Sequence, residues 1–365
     1  MSERKMKAIV CGSTFGQFYC EALSTIPDWV EFDGILSTGS ERSRRCAERY
    51  GVNCYTSNAE LDSDITLACV VARSGVLGGN GTKIALELLE KGINVIQEQP
   101  VHYKDIELCV KAAKKNKVLY RVGNLYEFLP NVKCFIQCSK KLCTLSKPLY
   151  LDVGCASQVS YPLIKILSES LPTLRPFEIL SVSKEIKPYD TVTAVVGDIP
   201  VLFQVQNEVN PDDPDNFMHY LHKITMITDY GRLCLEDTLG SVTWYNKMFV
   251  PVHGTDLSIL KEEKAKAKSK ALSAKSSITV YAPEEMDFGS VFASQWIPAI
   301  AEDVKEFIEL IEKGTAAEIN SCYTKTIFAS KVWHQFTSEL GFPVLIKPTE
   351  IKEFDVESLI RAAIS

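Results

Sequence analysis

The chain has 365 residues, 46% hydrophobic and 24% charged, the balance of a globular protein long enough to build two cores. With 46 acidic against 40 basic residues and a formal net charge of −6, nucleic acid is not expected as the main partner. No window is apolar over the length needed to span a bilayer, and the stub MSERKMKAIV lacks a signal-peptide pattern, so the expected location is cytoplasmic.

From Lys7 to about Asn124, short apolar strands alternate with amphipathic helices, the rhythm of a parallel sheet with crossover helices. The expected strands are KAIVCG, FDGILST, ITLACVVAR, INVIQE and VLYRVGN. The clearest helices, ERSRRCAERYG and TKIALELLEKG, both end in glycine, which accepts the left-handed closing residue. Such a sheet binds ligands beyond the carboxyl ends of its strands. After about residue 145, strands follow one another instead: TVTAVVGD with IPVLFQVQNEV, then KITMITD with GRLCLED and SVTWYNKMF, around the turns GDIP and DYGR. The expected fold class is α/β plus α+β: a Rossmann doubly wound parallel sheet over 1–125, then a substrate-binding domain on a large, mostly antiparallel sheet over 126–365. A lysine- and alanine-rich stretch, Leu260 to Lys275, interrupts the second domain, and AEDVKEFIELIEKG and TIFASKVWHQFTSELG follow as helices. The twelve cysteines lie in apolar segments such as LACVV and RLCLE and read as small core residues.

The first strand runs into Gly12, Ser13, Thr14, Phe15 and Gly16, directly before a helical stretch. Glycines in such a turn let the backbone approach a pyrophosphate, and the helix N-terminus offers free N–H groups. The two glycines are one residue closer than the outer pair of G-x-G-x-x-G, so this turn alone does not separate a dinucleotide site from a plain tight turn. The second strand decides between them. It ends in Ser37, Thr38, Gly39 and Ser40, followed by Glu41, Arg42, Ser43 and Arg44. An NAD enzyme carries an acid there for the ribose 2′-hydroxyl, whereas hydroxyls and guanidinium groups suit a 2′-phosphate, so NADP(H) is the expected cofactor. The plainer alternative is an exposed basic first turn. The third strand supplies Arg73 and Ser74, then a glycine-rich loop with Thr82 as the expected N-cap of the next helix, where the nicotinamide ribose would lie.

The fourth strand, Asn94 to Pro100, reads NVIQEQP. It resembles the E-K-P signature of the glucose–fructose oxidoreductase and inositol dehydrogenase superfamily, whose lysine sits beside the nicotinamide and handles the substrate's proton. Glu98 keeps the acid, and Gln99 replaces the lysine. An amide orients a substrate but supplies no titrating proton, which counts against an ordinary sugar or polyol dehydrogenase. A cis bond before Pro100 is expected at so tight a position.

Several segments in order along the chain are similar to one branch of that superfamily, the thiazolinyl imine reductases of siderophore assembly. They are GSTFG, GSERSR, Arg73-Ser74 with GGNGT, VIQEQP, NPDDPD, and HKITMITDYGRLCLEDTLGSVTW. The resemblance implies NADPH-dependent reduction of a thiazoline C=N to a thiazolidine. The intermediate would be held as a thioester on a nonribosomal peptide synthetase carrier domain, in siderophores of the yersiniabactin and pyochelin type. The superfamily also implies a homodimer through the free face of the second sheet. Of the family's proton-handling residues, the histidine in the motif is replaced here by Gln99, and the tyrosine after the fifth strand carries over to Tyr126. His102 is the reserve donor. Two alternatives remain: reduction of another small carbonyl or imine compound, such as a sugar or tetrapyrrole, and NADPH sensing without turnover.

His219 and His222 stand three apart, a metal-ligand spacing if helical, but no third ligand is evident and no metal is expected. Substrate contact is the alternative for this pair. Asn210 to Asp215 reads as a rigid solvated loop, and Cys134 and Cys138, which share a helical face, as core residues rather than zinc ligands. The run KEEKAKAKSKALSAK reads as a solvated face, with docking of an acidic carrier domain as its functional alternative.

Overall fold

The computed structural model describes residues 5–250, 270–347 and 354–364. The first sheet is built from β1 (Met6–Cys11), β2 (Val30–Leu36), β3 (Asn53–Tyr55), β4 (Leu67–Val70), β5 (Asn94–Gln97) and β6 (Tyr120–Val122). All pair in parallel, in the order β3-β2-β1-β4-β5-β6. This is the doubly wound topology in which the order reverses at β1 and β4 and a crevice opens beyond their carboxyl ends. The crossover helices are α1 (Gly16–Ser24), α2 (Glu41–Tyr50), α3 (Gly81–Glu90) and α4 (Tyr103–Asn116). Every residue of β4 and β5 is buried, as a strand covered on both faces requires.

Two short helices follow, α5 (Leu125–Phe128) and α6 (Pro130–Cys143), and then the second sheet. Its strands are β7 (Tyr150–Ala156), β8 (Phe177–Ser183), β9 (Tyr189–Val196), β10 (Ile199–Gln206), β12 (His222–Thr228), β13 (Gly231–Leu235), β14 (Val242–Asn246) and β15 (Ser277–Tyr281); β11 (Glu208–Val209) pairs outside it with Val344–Leu345. The order is β15-β14-β13-β12-β7-β10-β9-β8, antiparallel except where β10 runs parallel to β7. Strict alternation along β9 turns Val192, Ala194 and Val196 inward, while Thr191, Thr193 and Val195 stay half-exposed on the free face. Helices α6 and α7 (Ser160–Ser170) cover the inner face.

Helix Ile297–Lys313 packs on α1 and α5, and helix Ala316–Leu340 on α4 and α7, so both bind the second unit back onto the first. Arg121 on β6 pairs with the buried Asp303 at 3.0 Å, and Asp303 Oδ2 also accepts from the backbone N–H of Asn124 at 2.9 Å. The longer helix starts in a capping box between Thr315 and Glu318.

Several expectations need revision. Thr82 is not an N-cap: Asn80 holds that position and the helix begins at Gly81, and the Thr82 hydroxyl, buried in its first turn, donates to Asp105 at 3.1 Å and accepts from Gln97 at 3.3 Å. Strands β3, β7, β8 and β15 join those foreseen. His219 and His222 share no helical face, since the second opens β12. Of the lysine-rich stretch, residues 260–269 lie outside the described residues; Lys270–Ser273 form one helical turn. All twelve cysteines are free of disulfides.

Candidate active site

The turn after β1 is shaped by close approach. Gly12 sits at φ +107, and a Cβ there would lie 3.3 Å from the backbone carbon of Val71; a Cβ on Gly16 would meet Val10 at 3.3 Å. Helix α1 therefore starts directly over the ends of β1 and β4. Its N-cap, Phe15, makes no side-chain cap bond, and the first turn holds no acid, which leaves the positive end of the helix dipole to a ligand's phosphate. Gln17 donates to the carbonyls of Ser13 and Thr14 and fixes the loop.

At the end of β2, Ser37 Oγ accepts from the N–H of Gly39, itself at φ +75. Ser40 caps α2 by accepting from the Ser43 N–H, and the Ser43 hydroxyl donates to the Ser40 carbonyl at 2.7 Å. Ser43 is fully buried, so its hydroxyl serves the cap rather than facing the cofactor. Thr38, Arg42 and Arg44 are exposed; a Cβ on Gly39 would lie 4.0 Å from a terminal nitrogen of Arg44. Arg42 instead lines a 420 Å³ cleft with Gln17, Arg45 and Arg49, and Arg45 is paired to Glu41.

Beyond β4, Arg73 is exposed, while Ser74 is buried and donates to the Pro100 carbonyl at 2.5 Å, tying this loop to the one after β5. A Cβ on Gly79 would lie 2.0 Å from the Arg73 carbonyl oxygen, so no larger residue fits that fold-back. Below it Gln97, fully buried, accepts from the Tyr120 hydroxyl at 2.8 Å.

Glu98 follows. It accepts from the Tyr19 hydroxyl, and burial pushes its carboxyl up to about 8, with the nearby Asp303 carboxyl acting in the same direction. The Gln99–Pro100 bond is cis. The Gln99 side-chain carbonyl is buried without a hydrogen-bond partner among the described residues. An uncapped helix end, a glycine cradle and an orphaned buried acceptor at the end of β5 together fit a dinucleotide laid across the strand ends.

Tyr126, on α5, is 8% exposed. Its ring meets His222 edge-on at 5.1 Å and Trp296 at 6.1 Å, and among the described residues nothing hydrogen-bonds to its hydroxyl. Burial, then the carboxylates of Glu98, Asp215 and Asp237, push its acidity well down, so it stays protonated at neutral pH. His222 has no exposed surface and is not free to bind anything: Nε2–H donates to the Val159 carbonyl at 2.8 Å, and Nδ1 accepts from the Thr238 hydroxyl at 2.7 Å. Burial lowers it to about 4, so the ring is neutral. His219 packs its ring against Tyr189. Among the described residues, no group of three potential ligands could hold a metal.

His102 lies apart from this group. It is the N-cap of α4, its Nδ1 accepting from the Lys104 N–H at 3.3 Å, and its ring packs against Tyr103 and His334. Its Nδ1 is occupied and its ring contacts are with α4 and helix Ala316–Leu340, which removes the argument for it as reserve donor. Tyr19, Asp303 and Trp296 were not foreseen. All three come from helices whose sequence reads as ordinary amphipathic packing, and only the tertiary fold turns them inward.

Residues 6–124 match the family model described as oxidoreductase family, NAD-binding Rossmann fold, and residues 146–245 match that of thiazolinyl imine reductase Irp3-like, C-terminal. No curated protein matches the chain in sequence. Among solved structures, a 3-ketoreductase variant, KijD10 from Actinomadura kijaniata, in complex with TDP-benzene and NADP, superposes with a TM-score of 0.64 at 12% identity, over 94% of this chain and 100% of that one. GenD2 from gentamicin A biosynthesis, in complex with NAD, gives 0.62 at 11% identity, over 93% and 96%. A dehydrogenase from Chromobacterium violaceum gives 0.66 at 12% identity, over 92% and 94%. At such identities these similarities establish the fold, a Rossmann domain joined to a large, mostly antiparallel sheet.

Proposed function

We propose, on the premise that the chain belongs to the oxidoreductase family with an NAD-binding Rossmann fold and carries a second domain of the thiazolinyl imine reductase type, that it reduces a thiazoline C=N with NADPH. The observation that carries this reading is the match over 146–245, because the first domain by itself does not distinguish C=N from C=O. Gln99 agrees with it, since a carbonyl reductase of the superfamily's lysine type would need a titrating group there.

The Gly12–Gly16 turn would receive the pyrophosphate on the α1 N-terminus, and Arg44 with Arg42 and Thr38 would favour the 2′-phosphate. Bound NADPH would supply the hydride. The Tyr126 hydroxyl holds the proton that the ring nitrogen requires. Its weak acidity is no obstacle, because a nitrogen gaining negative charge is far more basic than a phenolate. His222 supports the Tyr126 ring from its edge and stays neutral, so no second proton competes. Gln99 offers an amide N–H and an unsatisfied carbonyl to orient whatever lies beyond β5.

The substrate would arrive as a thioester on a synthetase carrier domain, as a step of siderophore assembly, and the free face of the second sheet would pair two copies of the chain; light scattering at twice the chain's mass tests the pairing. The test of the reaction is NADPH consumption by the pure protein with a carrier-bound thiazoline thioester against a panel of sugars. The reading expects consumption with the thioester alone; turnover of a sugar at comparable rate would replace it.

A further inference from the structure

Phe292–Trp296 forms one turn of π-helix immediately before helix Ile297–Lys313. Such single turns insert one residue into a helix and redirect a side chain, and they recur at functional sites. Here the turn directs Trp296 into a cluster of rings: Phe15 at 6.2 Å, Phe18 at 5.9 Å, Phe292 at 4.9 Å and Tyr126 at 6.1 Å. Trp296 therefore touches the cofactor turn through Phe15 and the proton-bearing side chain through Tyr126.

The indole N–H of Trp296 is buried and has no acceptor among the described residues. Two other tryptophans behave as the rule requires: Trp333 donates to Ser160 at 3.0 Å and Trp244 to Asn246 at 2.9 Å. An indole nitrogen can only donate, and leaving it dry and unpaired costs free energy, so its partner is an acceptor from a molecule outside the chain. The neighbouring side chains are aromatic, which suits a flat, apolar ring.

We propose that Trp296 is a substrate-binding residue whose N–H donates to an acceptor atom on a planar, apolar heterocycle held between the cofactor turn and Tyr126. This rests on the imine-reductase reading for the identity of the heterocycle. It does not rest on turnover, because the contact can be read by binding alone. The probes are NADPH and a free thiazoline carboxylate, titrated by calorimetry into the wild type, into Trp296→Phe, and into a protein carrying benzothienylalanine at 296, which replaces only the N–H by sulfur. Losing the bond is expected to weaken thiazoline binding about tenfold in both variants, with NADPH affinity within about twofold. Where turnover is measurable, KM for the thioester rises by the same factor and kcat changes little. Unchanged thiazoline affinity in the benzothienylalanine protein overturns the proposal, as does a loss confined to NADPH, which would assign the N–H to the cofactor. Thiazoline binding that depends on the N–H, without NADPH consumption in the wild type, would sink the reductase reading and leave this contact standing.

Discussion

Tyr126 and His222 meet edge to face, yet they answer to pH in different ways. The ring of His222 is buried neutral at about 4 against an ordinary 6.5. Its folded value is depressed, so below about pH 6.5 the unfolded chain takes up a proton that the native state refuses until about pH 4, and stability falls across that window. Between pH 7 and 5 the loss attributable to this residue is roughly 2 kcal/mol, readable as a drop in the urea midpoint that His222→Gln reduces. Glu98 has the opposite sign. Its folded value is raised to about 8, so the native state keeps a proton that the unfolded chain releases above about 4.5, and stability declines as pH rises from about 4.5 until the folded group also ionises near 8. Glu98→Gln is expected to flatten that decline by an amount on the order of a few kcal/mol; an unchanged slope in denaturant titrations from pH 5 to 8 would contradict it. For Tyr126→Phe the expected result is a kcat at least about tenfold lower, with NADPH affinity held within about threefold. The sequence pointed to Tyr126 and Glu98 through a resemblance, and to His222 only by its spacing from His219. The inward turn of His222 and the burial of Glu98 depend on which strand faces which helix, and no local pattern encodes that.

At the level of elements, the proposed preference for NADPH rests on the N-terminus of α2. Ser40 and Ser43 are spent on capping the helix, so in the proposed reading discrimination would fall to Arg44 over Gly39 and to Arg42 in the neighbouring cleft. Arg44→Ala is expected to weaken NADPH about tenfold and NADH less than twofold; equal losses for the two would assign the arginine to general phosphate attraction. This helix was fully legible beforehand, because Ser40 and Gly51, at φ +65, are residue types that start and stop helices. The hairpin between β9 and β10 was legible for the same reason, with Gly197 and Asp198 both at positive φ in a two-residue turn. Thr82 misled because it has a capping residue's chemistry, yet the preceding glycines let the chain enter the helix two residues sooner, with Asn80 at the N-cap position. The π-turn at Phe292–Trp296 left no trace in composition, since it is made by packing against α1 rather than by propensity.

In the whole molecule Tyr126, the proton donor of the proposed reaction, stands where two units meet. The strand ends of the parallel sheet form the cradle proposed for the cofactor, α5 supplies Tyr126, and the π-turn ending in Trp296 and helix Ile297–Lys313 close over both through Trp296 and the Asp303–Arg121 pair. Among the described residues no helix is long and apolar enough to cross a membrane. The rhythm of strands and helices exposed this two-unit plan in the sequence, whereas the way the last helices return to stitch it together required the fold. The most direct measurement is a single turnover with NADPH deuterated at its transferable position and a carrier-bound thiazoline thioester, followed by mass spectrometry of the released ring. One deuterium on the ring carbon for each cofactor oxidised is the predicted outcome. Tight binding of NADPH with no deuterium in the ring and no cofactor consumed would contradict the account.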